Sequence, residues 1–371
     1  MKIGILTLPL HTNYGGILQA YALQTVLERM GHEVKVIDKP YSYYLKPTRQ
    51  VLAIIKRILL RIVFFNKRAI FPERERTRKF NVVNKLTNSF ISSHLKLLRV
   101  NKYKEAQKEG FDAIVVGSDQ VWRPEFFGKC EDSFLDFAKN WNRTRISYAA
   151  SFGKDKIDFT NSQIVNCTKL LKKFKSISVR EASAVHILHE TFDAQSVHVL
   201  DPTMLLDRTD YIQLASKATP HNGDLLYYIL DENEEKNRII DEICNKGNYK
   251  AFRIGGKEWI SSDAPIESLV FPSVESWLRG FVDAKMVVTD SFHACVFSII
   301  FHVPFVAIGN AYRGLTRFYD LLGQFGLENR LTKDFSSISA ILSKSIDWES
   351  VDKRMEERKE FSFNFLNTLN L

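Results

Sequence analysis

A histidine stands where an apolar strand gives way to a helix. Residues 286–308 read MVVTDSFHACVFSIIFHVPFVAI; the strand ends at Thr289, Asp290 or Ser291 caps the helix, and His293 falls in its first turn. Open α/β sheets hold ligands at the carboxyl edge of their strands, and a helix N-terminus favours an anion there. An imidazole so placed donates to a phosphate or exchanges a proton near neutral pH. A histidine merely packed and hydrogen-bonded at a helix start fits the same residues. Arg180 has the equivalent place in SVREASA, just after SISV (176–179). Its planar fork matches carboxylate or phosphate oxygens, with an ion pair to Glu181 or Asp201 as the structural alternative. Two more strand–helix turns supply candidate binding groups. Asn13, Tyr14, Gly15 and Gly16 let backbone approach a ligand closely. Gly117, Ser118, Asp119 and Gln120 offer N–H groups, a hydroxyl and a carboxylate. Trp122 is of a type that stacks on sugar rings, although core packing is the commoner fate of one tryptophan.

These turns need a scaffold, and the chain alternates strands and helices throughout. Residues 2–8 form a continuous apolar run, residues 14–30 have helical spacing ending at Met30-Gly31, and EVKVID (33–38) is a second strand: a βαβ opening that predicts a parallel sheet. FDAIVV (111–116), RISYAAS (145–151), SISV and VHVL (197–200) continue the series up to the break at Asp201-Pro202. A second series follows a short helix near 208–217. It comprises DLLYYIL (224–230), YKAFRI (249–254), MVVT (286–289) and PFVAI (304–308), with helices over 233–246, 274–283 and 291–302. The fold class predicted is α/β, with two Rossmann-like domains facing a cleft. They span residues 1–205, with a helical basic insertion at about 45–105, and residues 206–347. A helix over 348–371 is expected to cross back to the first domain, by analogy with other two-domain folds.

The 371 residues suffice for two such domains, and 45% hydrophobic with 12% aromatic residues excludes wholesale disorder. Fifty-two Lys and Arg against 43 acidic residues give a formal charge of +9, which suits an anionic partner without choosing one. Cys130, Cys167, Cys244 and Cys295 are scattered, with no CxxC pair and no His at metal-ligand spacing; no metal is expected. The N-terminus reads as a first strand rather than a signal peptide, and no apolar run is long enough for a membrane span, so the expected location is cytoplasmic. Residues 51–79 stand apart as an apolar helix studded with Lys56, Arg57 and Arg61, followed by a basic run. A packed insertion and an interfacial helix lying on anionic lipid at the inner membrane face both fit it.

Taken together, NYGGILQAYALQ (13–24), VVGSDQVW (115–122), ISYAASFG (146–153), SVREASA (178–184), DPTML (201–205) and TDSFHACVFSIIFHVPFVAI (289–308) resemble the polysaccharide pyruvyl transferase family, in that family's order. The insertion at 45–105 has no counterpart in the resemblance. The resemblance implies a fold like that of the GT-B glycosyltransferases, phosphoenolpyruvate as donor substrate with no cofactor, and a sugar or lipid-linked oligosaccharide as acceptor. The product would be a cyclic pyruvate ketal of a surface polysaccharide or its precursor, with release of phosphate. It places the family's arginine on Arg180 and its histidine on His293. Many relatives carry an arginine two residues before that histidine, where this chain has Ser291; Arg313 or Arg317, in NAYRGLTRF, is the expected replacement cation. Asn13, Gly15, Gly16, Ser118, Asp119, Gln120 and Ser291 complete the expected binding set. Two other functions fit the same pattern. One is a GT-B glycosyltransferase using a nucleotide sugar held near Gly255, Gly256 and Lys257; the other is a catalytically inactive binding protein, suggested by Ser291. No nucleic acid is expected.

Overall fold

The computed structural model describes residues 1–40, 47–64, 70–257, 259, 264–309, 315–332 and 334–370. The first half contains β1 (Lys2–Leu6), α1 (Tyr14–Arg29), β2 (Glu33–Asp38), α2 (Pro47–Phe64), α3 (Pro72–Val83), α4 (Lys85–His94), β3 (Leu97–Arg99), β4 (Ala113–Val116), β5 (Thr144–Ala150), α5 (Asn161–Leu171), β6 (Ser176–Val179), α6 (Ala182–Phe192) and β7 (Val197–His198). These strands form one parallel sheet in the order β3-β2-β1-β4-β5-β6-β7. The second half contains α7 (Arg208–Ala215), β8 (Leu225–Tyr228), α8 (Glu234–Gly247), β9 (Ala251–Arg253), α9 (Val274–Asp283), β10 (Met286–Thr289), α10 (Phe292–Phe301), β11 (Phe305–Ile308), α11 (Thr316–Phe325), β12 (Leu331–Thr332), α12 (Ile338–Leu342) and α13 (Trp348–Asn367). Its parallel sheet runs β12-β11-β10-β8-β9.

Both orders contain the point that matters for function, the place where the strand sequence reverses. In the first sheet it lies between β1 and β4, paired from Ile3↔Ala113 to Leu6↔Val116. In the second it lies between β8 and β10, paired from Met286↔Leu225 to Thr289↔Tyr228. Chain leaving adjacent strands there departs in opposite directions and opens a crevice at the carboxyl edge. The four loops that follow β1, β4, β8 and β10 carry most of the candidate site.

The strands are apolar at successive positions because both faces are covered. In β10, Val287 joins the core beneath α9, α10 and α11, whereas Met286 and Val288 join the core beneath α8 and α12. In the first sheet, Ile114 and Val116 face a core with α5 and α6, whereas Ala113 and Val115 face α1. The α1 side is continuous with the second domain: one buried cluster runs from Ile3 and Leu18 through Tyr211 and Trp277 to Phe297 and Leu366. Tyr14 stacks on Trp277 with ring centroids 5.4 Å apart, and its hydroxyl donates to Pro272 O at 2.8 Å.

The insertion joins both domains. Its β3 extends the first sheet beside β2, while Val83 at the end of α3 accepts from Phe271 N at 2.8 Å, and Phe80 meets Trp259 at 5.8 Å. Residues 45–46 and 65–69 of the insertion lie outside the described residues. Helix α13 returns to the first sheet: Ser362 Oγ accepts from Leu200 N at 3.0 Å, Arg358 donates to His198 O at 3.0 Å, and Phe365 packs on Tyr148. Trp122 belongs to the core, stacked on Phe134 with Nε1 donating to Ser133 O at 3.2 Å; it offers no face to a sugar.

Trp277 is fully buried where the two domains meet. Replacing it with alanine is expected to cost about 3–5 kcal/mol, as for other buried large aromatics. Urea unfolding followed by circular dichroism checks this; an unchanged midpoint would show that the interdomain core does not support the fold.

Candidate active site

Each loop is built for its place. After β10, Thr289 Oγ1 donates to Tyr228 O at 2.6 Å and accepts from Ser291 N at 3.0 Å, fixing the turn. Ser291 caps α10, its hydroxyl accepting from Ala294 N at 3.5 Å. Asp290 turns inward: it accepts from Leu230 N at 2.7 Å, Asp231 N at 3.1 Å and Lys236 Nζ at 2.7 Å, which ties the β8 loop to the β10 loop. His293 then projects from the first turn of α10 toward the first domain, with 9% of its surface exposed.

There the imidazole lies directly against Gly15. A Cβ on Gly15 would fall 2.0 Å from His293 Nδ1, so any side chain at that position collides with the ring. Glycine is required here for the approach of an imidazole from the other domain. On the opposite side of the ring, Nε2 is buried 3.5 Å from Asp201 Oδ2, with no aligned hydrogen-bond partner. Asp201 is anchored through Oδ1, which accepts from Thr203 N at 3.0 Å and Thr203 Oγ1 at 2.7 Å. Burial opposes its charge, yet His293, Arg180 and Thr203 outweigh burial and hold its pKa well below the usual carboxylate range.

Arg180 is the centre of the charge cluster. Its Nη1 donates to Asp201 Oδ2 at 3.0 Å, its Nε to Glu181 Oε1 at 3.3 Å and its Nη2 to Asp119 Oδ1 at 3.4 Å. The guanidinium also lies 4.5 Å from the centre of the Phe292 ring. Burial disfavours the cation, but Glu181, Asp201 and Asp119 more than compensate, and its pKa is raised. A fork held by three carboxylates organises the site from below rather than extending into it.

The crevice itself is a pocket of about 280 Å³ between the domains. Asn13, Gly15, Asp119 and Gln120 line it from the first domain; Ser291, His293 and Arg317 line it from the second. Asn13 Nδ2 reaches Asp119 Oδ2 at 3.5 Å, and Gln120 accepts from Arg123 at 3.1 Å. Arg317, in the first turn of α11, is 9% exposed and lies 5.9 Å from the Phe292 ring. Burial first, and then the neighbouring Arg180 cation, lower its pKa to about 10. A buried cation in that state gains from an entering anion. Arg317 therefore shares the pocket with Ser291, whereas Arg313 lies outside the described residues.

Two expected binding residues sit elsewhere. Ser118 is sealed beneath the loop, its N–H donating to Gln19 Oε1 at 2.9 Å and its hydroxyl to Ala149 O at 3.0 Å. Gly16 faces the Asn13 side chain and a neighbouring cavity beside Leu8 and Phe126. The expected ion pairs of Arg180 with Glu181 and Asp201 are both present, whereas sequence reasoning did not reach Asp119 as a third carboxylate on Arg180 or Asp201 as the partner of His293. Among the described residues, no group of three or more His, Cys, Asp or Glu side chains could hold a metal ion.

Two parallel-sheet domains with opposed switch points and a cleft between them define a GT-B-like fold. Solved structures agree. The chain is similar to the UDP-GlcNAc 2-epimerase of Methanocaldococcus jannaschii (TM-score 0.50, 12% identity, covering 94% of this chain and 93% of that one). It is also similar to a protein of Listeria monocytogenes described as a putative UDP-N-acetylglucosamine 2-epimerase (TM-score 0.51, 11% identity, 96% and 90% covered). Identities this low speak for the fold alone. No curated protein shows a significant sequence match. The sequence of residues 13–312 matches the polysaccharide pyruvyl transferases, and the chain belongs to that family.

Gly15→Ala tests the interdomain contact. The added methyl should displace the His293 ring and lower turnover at least tenfold while leaving the far-ultraviolet circular dichroism unchanged. Wild-type turnover in the folded variant would mean that the ring position is not needed for activity.

Proposed function

We propose that this enzyme transfers the pyruvyl group of phosphoenolpyruvate to two hydroxyls of one sugar in a surface polysaccharide or its lipid-linked precursor, forming a cyclic ketal and releasing phosphate. The observation that carries this reading is the convergence of His293 and Arg317, from two helices of the second domain, on one small pocket closed by the Asn13 and Asp119 loops of the first. At about 280 Å³ it lies just below the ~300–1,000 Å³ of pockets for drug-sized ligands and suits a three-carbon phosphate.

The reaction needs a proton source, a proton acceptor and a cation. Protonation of the methylene carbon turns the neighbouring carbon into an oxocarbenium-like electrophile. One sugar hydroxyl adds and loses its proton, the carbon–oxygen bond to phosphate breaks, and the second hydroxyl closes the ring as it too is deprotonated. His293 is assigned the proton transfers, with Asp201 beside Nε2 to stabilise the imidazolium while it exists. Arg317 is assigned to the donor's phosphate or carboxylate, where Ser291 leaves room. Arg180 acts one step back, holding Asp201 and Asp119 in place.

Incubation with phosphoenolpyruvate and a sugar acceptor should release phosphate. His293→Ala should slow this by roughly two to four orders of magnitude, the range for losing a general acid or base, and Arg317→Ala should weaken donor binding. Near-wild-type phosphate release by folded His293→Ala protein would remove the assignment.

The insertion supports residence at the inner membrane face. On α2, Val51, Ile55, Ile58 and Leu59 are all exposed, at the spacing of one helical face, and Lys56 is exposed beside them. Arg57 is held by Glu73 at 2.6 Å. Among the described residues no helix is long and apolar enough to cross a membrane. The α2 face is therefore assigned to lie on lipid, with each nearby basic residue adding about 1 kcal/mol at an anionic surface. The full chain should sediment with anionic vesicles at low salt and detach at high salt. No sedimentation with anionic vesicles at low salt would make α2 an ordinary surface helix.

A further inference from the structure

Helix α11 belongs to the second domain, yet it is fastened to the first. Phe318, Leu321, Leu322 and Phe325 seat the helix on the core. Thr316 and Asp320 meet the first domain instead. Thr316 Oγ1 donates to Asp155 Oδ2, in the loop after β5. Asp320 reaches two groups: its Oδ1 accepts from Ala182 N at 3.1 Å, and its Oδ2 lies 3.2 Å from His198 Nε2. Both contacts are made beside Arg180. Ala182 opens α6, and the residue in the cap position, Glu181, makes no cap bond. The Glu181 carboxylate is engaged elsewhere, accepting from Arg180 Nε at 3.3 Å and from Ser151 Oγ at 2.7 Å. The N–H of Ala182 is one of the four that a helix start leaves over. Asp320 satisfies it from the other domain, with a negative charge where the helix dipole favours one. His198 Nε2 also lies 2.9 Å from Arg180 O. A carbonyl and a carboxylate can only accept, so Nε2 carries the proton and shares it between Arg180 O and Asp320 Oδ2. Arg358 of α13 donates to His198 O at 3.0 Å and steadies the end of β7.

Arg317 lies between the two fastened residues. It is three positions before Asp320, so the two are neighbours on the helix surface. We propose that Asp320 is a positioning residue for this cation: by capping α6 and sharing the proton of His198 with Arg180, it fixes α11 against the first domain and so sets where Arg317 stands in the small pocket. The inference rests on the assignment of Arg317 to the donor's phosphate or carboxylate. Asp320 itself is not among the residues that line the pocket, so it acts through the helix. The placement matters because a charge-assisted hydrogen bond is short and directional. A misplacement of about 1 Å caused far from the chemistry can cost on the order of 100-fold. Arg180 thereby governs both walls of the pocket: its guanidinium gathers Asp119 and Asp201, while its backbone carbonyl and the helix start beside it hold α11.

Calorimetric titration of phosphoenolpyruvate into the full chain, without acceptor, reads the effect. Asp320→Ala should weaken donor binding tenfold or more. In the Arg317→Ala background the same change should weaken the remaining binding less than twofold, because its effect passes through Arg317. Asp320→Asn keeps an oxygen for Ala182 N but turns an amide toward the proton of His198; it should stay folded and lose donor affinity threefold or more. Asp347 caps α13, accepting from Ser350 N at 3.1 Å, away from the pocket. Asp347→Ala removes an ordinary helix cap and should leave donor affinity unchanged. Wild-type affinity in folded Asp320→Ala or Asp320→Asn protein overturns the inference. So does a tenfold loss that persists in the Arg317→Ala background, or an equal loss in Asp347→Ala. If the wild-type protein binds no phosphoenolpyruvate, the pyruvyl-transfer reading fails, and inorganic phosphate titrated into the same proteins tests the contact by itself. The same pattern with phosphate supports the role of Asp320; phosphate binding that is absent, or indifferent to Asp320→Ala, overturns it.

Discussion

The site depends on one buried guanidinium. Arg180 is 2% exposed and holds Asp119, Glu181 and Asp201, residues that leave three different strands or loops of the first domain. Removing one member of such a buried cluster leaves uncompensated charge and commonly costs about 3–5 kcal/mol. The geometry passes outward from there. Asp201 fixes the side of the pocket on which His293 Nε2 rests, Asp119 carries the Asn13 loop, and Phe292 is packed beneath both Arg180 and Arg317. The charge cluster therefore couples the first domain's loops to helix α10 of the second domain, which carries His293.

A second constraint is the closeness of the domains. Gly15 meets His293, Tyr14 meets Trp277 and Pro272, and Phe271 is hydrogen-bonded to Val83 of the insertion. The contacts at Gly15 and Tyr14 come from the first turn of α1, so the loop after β1 contributes an asparagine that lines the pocket, an opening for the imidazole and part of the interdomain core. The insertion adds a contact outside the cleft, where Phe80 meets Trp259 of the second domain. A segment without a counterpart among the recognised motifs thus helps to join the two domains.

The fold class was legible because strands buried on both faces are written as unbroken apolar runs, and because strand–helix alternation in a parallel sheet is local. β3 and β12 were not read in the sequence: unlike the equally short β7 and β9, they were not picked out as apolar runs, and pairing with β2 and β11 defines them. The candidate site was legible as a set of turns at one sheet edge. The distances within it were not, since the partners are far apart in the chain. Gly15 and His293 touch across the whole of the first domain's sequence, and the carboxylates on Arg180 come from positions 119, 181 and 201. A motif names the residue types at a turn but does not say which of them face inward; Ser118 and Asp119 are neighbours, and only Asp119 lines the pocket.

Helix α13 bears on how the protein is made. It covers Tyr148 and Leu200 of the first domain, although residues 348–367 leave the ribosome after the entire second domain. Domains usually fold as units in order of synthesis. Here the first sheet emerges complete in its strands yet lacks part of its cover until the second domain has been translated. During that interval the apolar side of β5 near Tyr148 is exposed to other chains. The first domain is begun first and finished last, and its burden on the cell's chaperones grows with the time needed to synthesise the second.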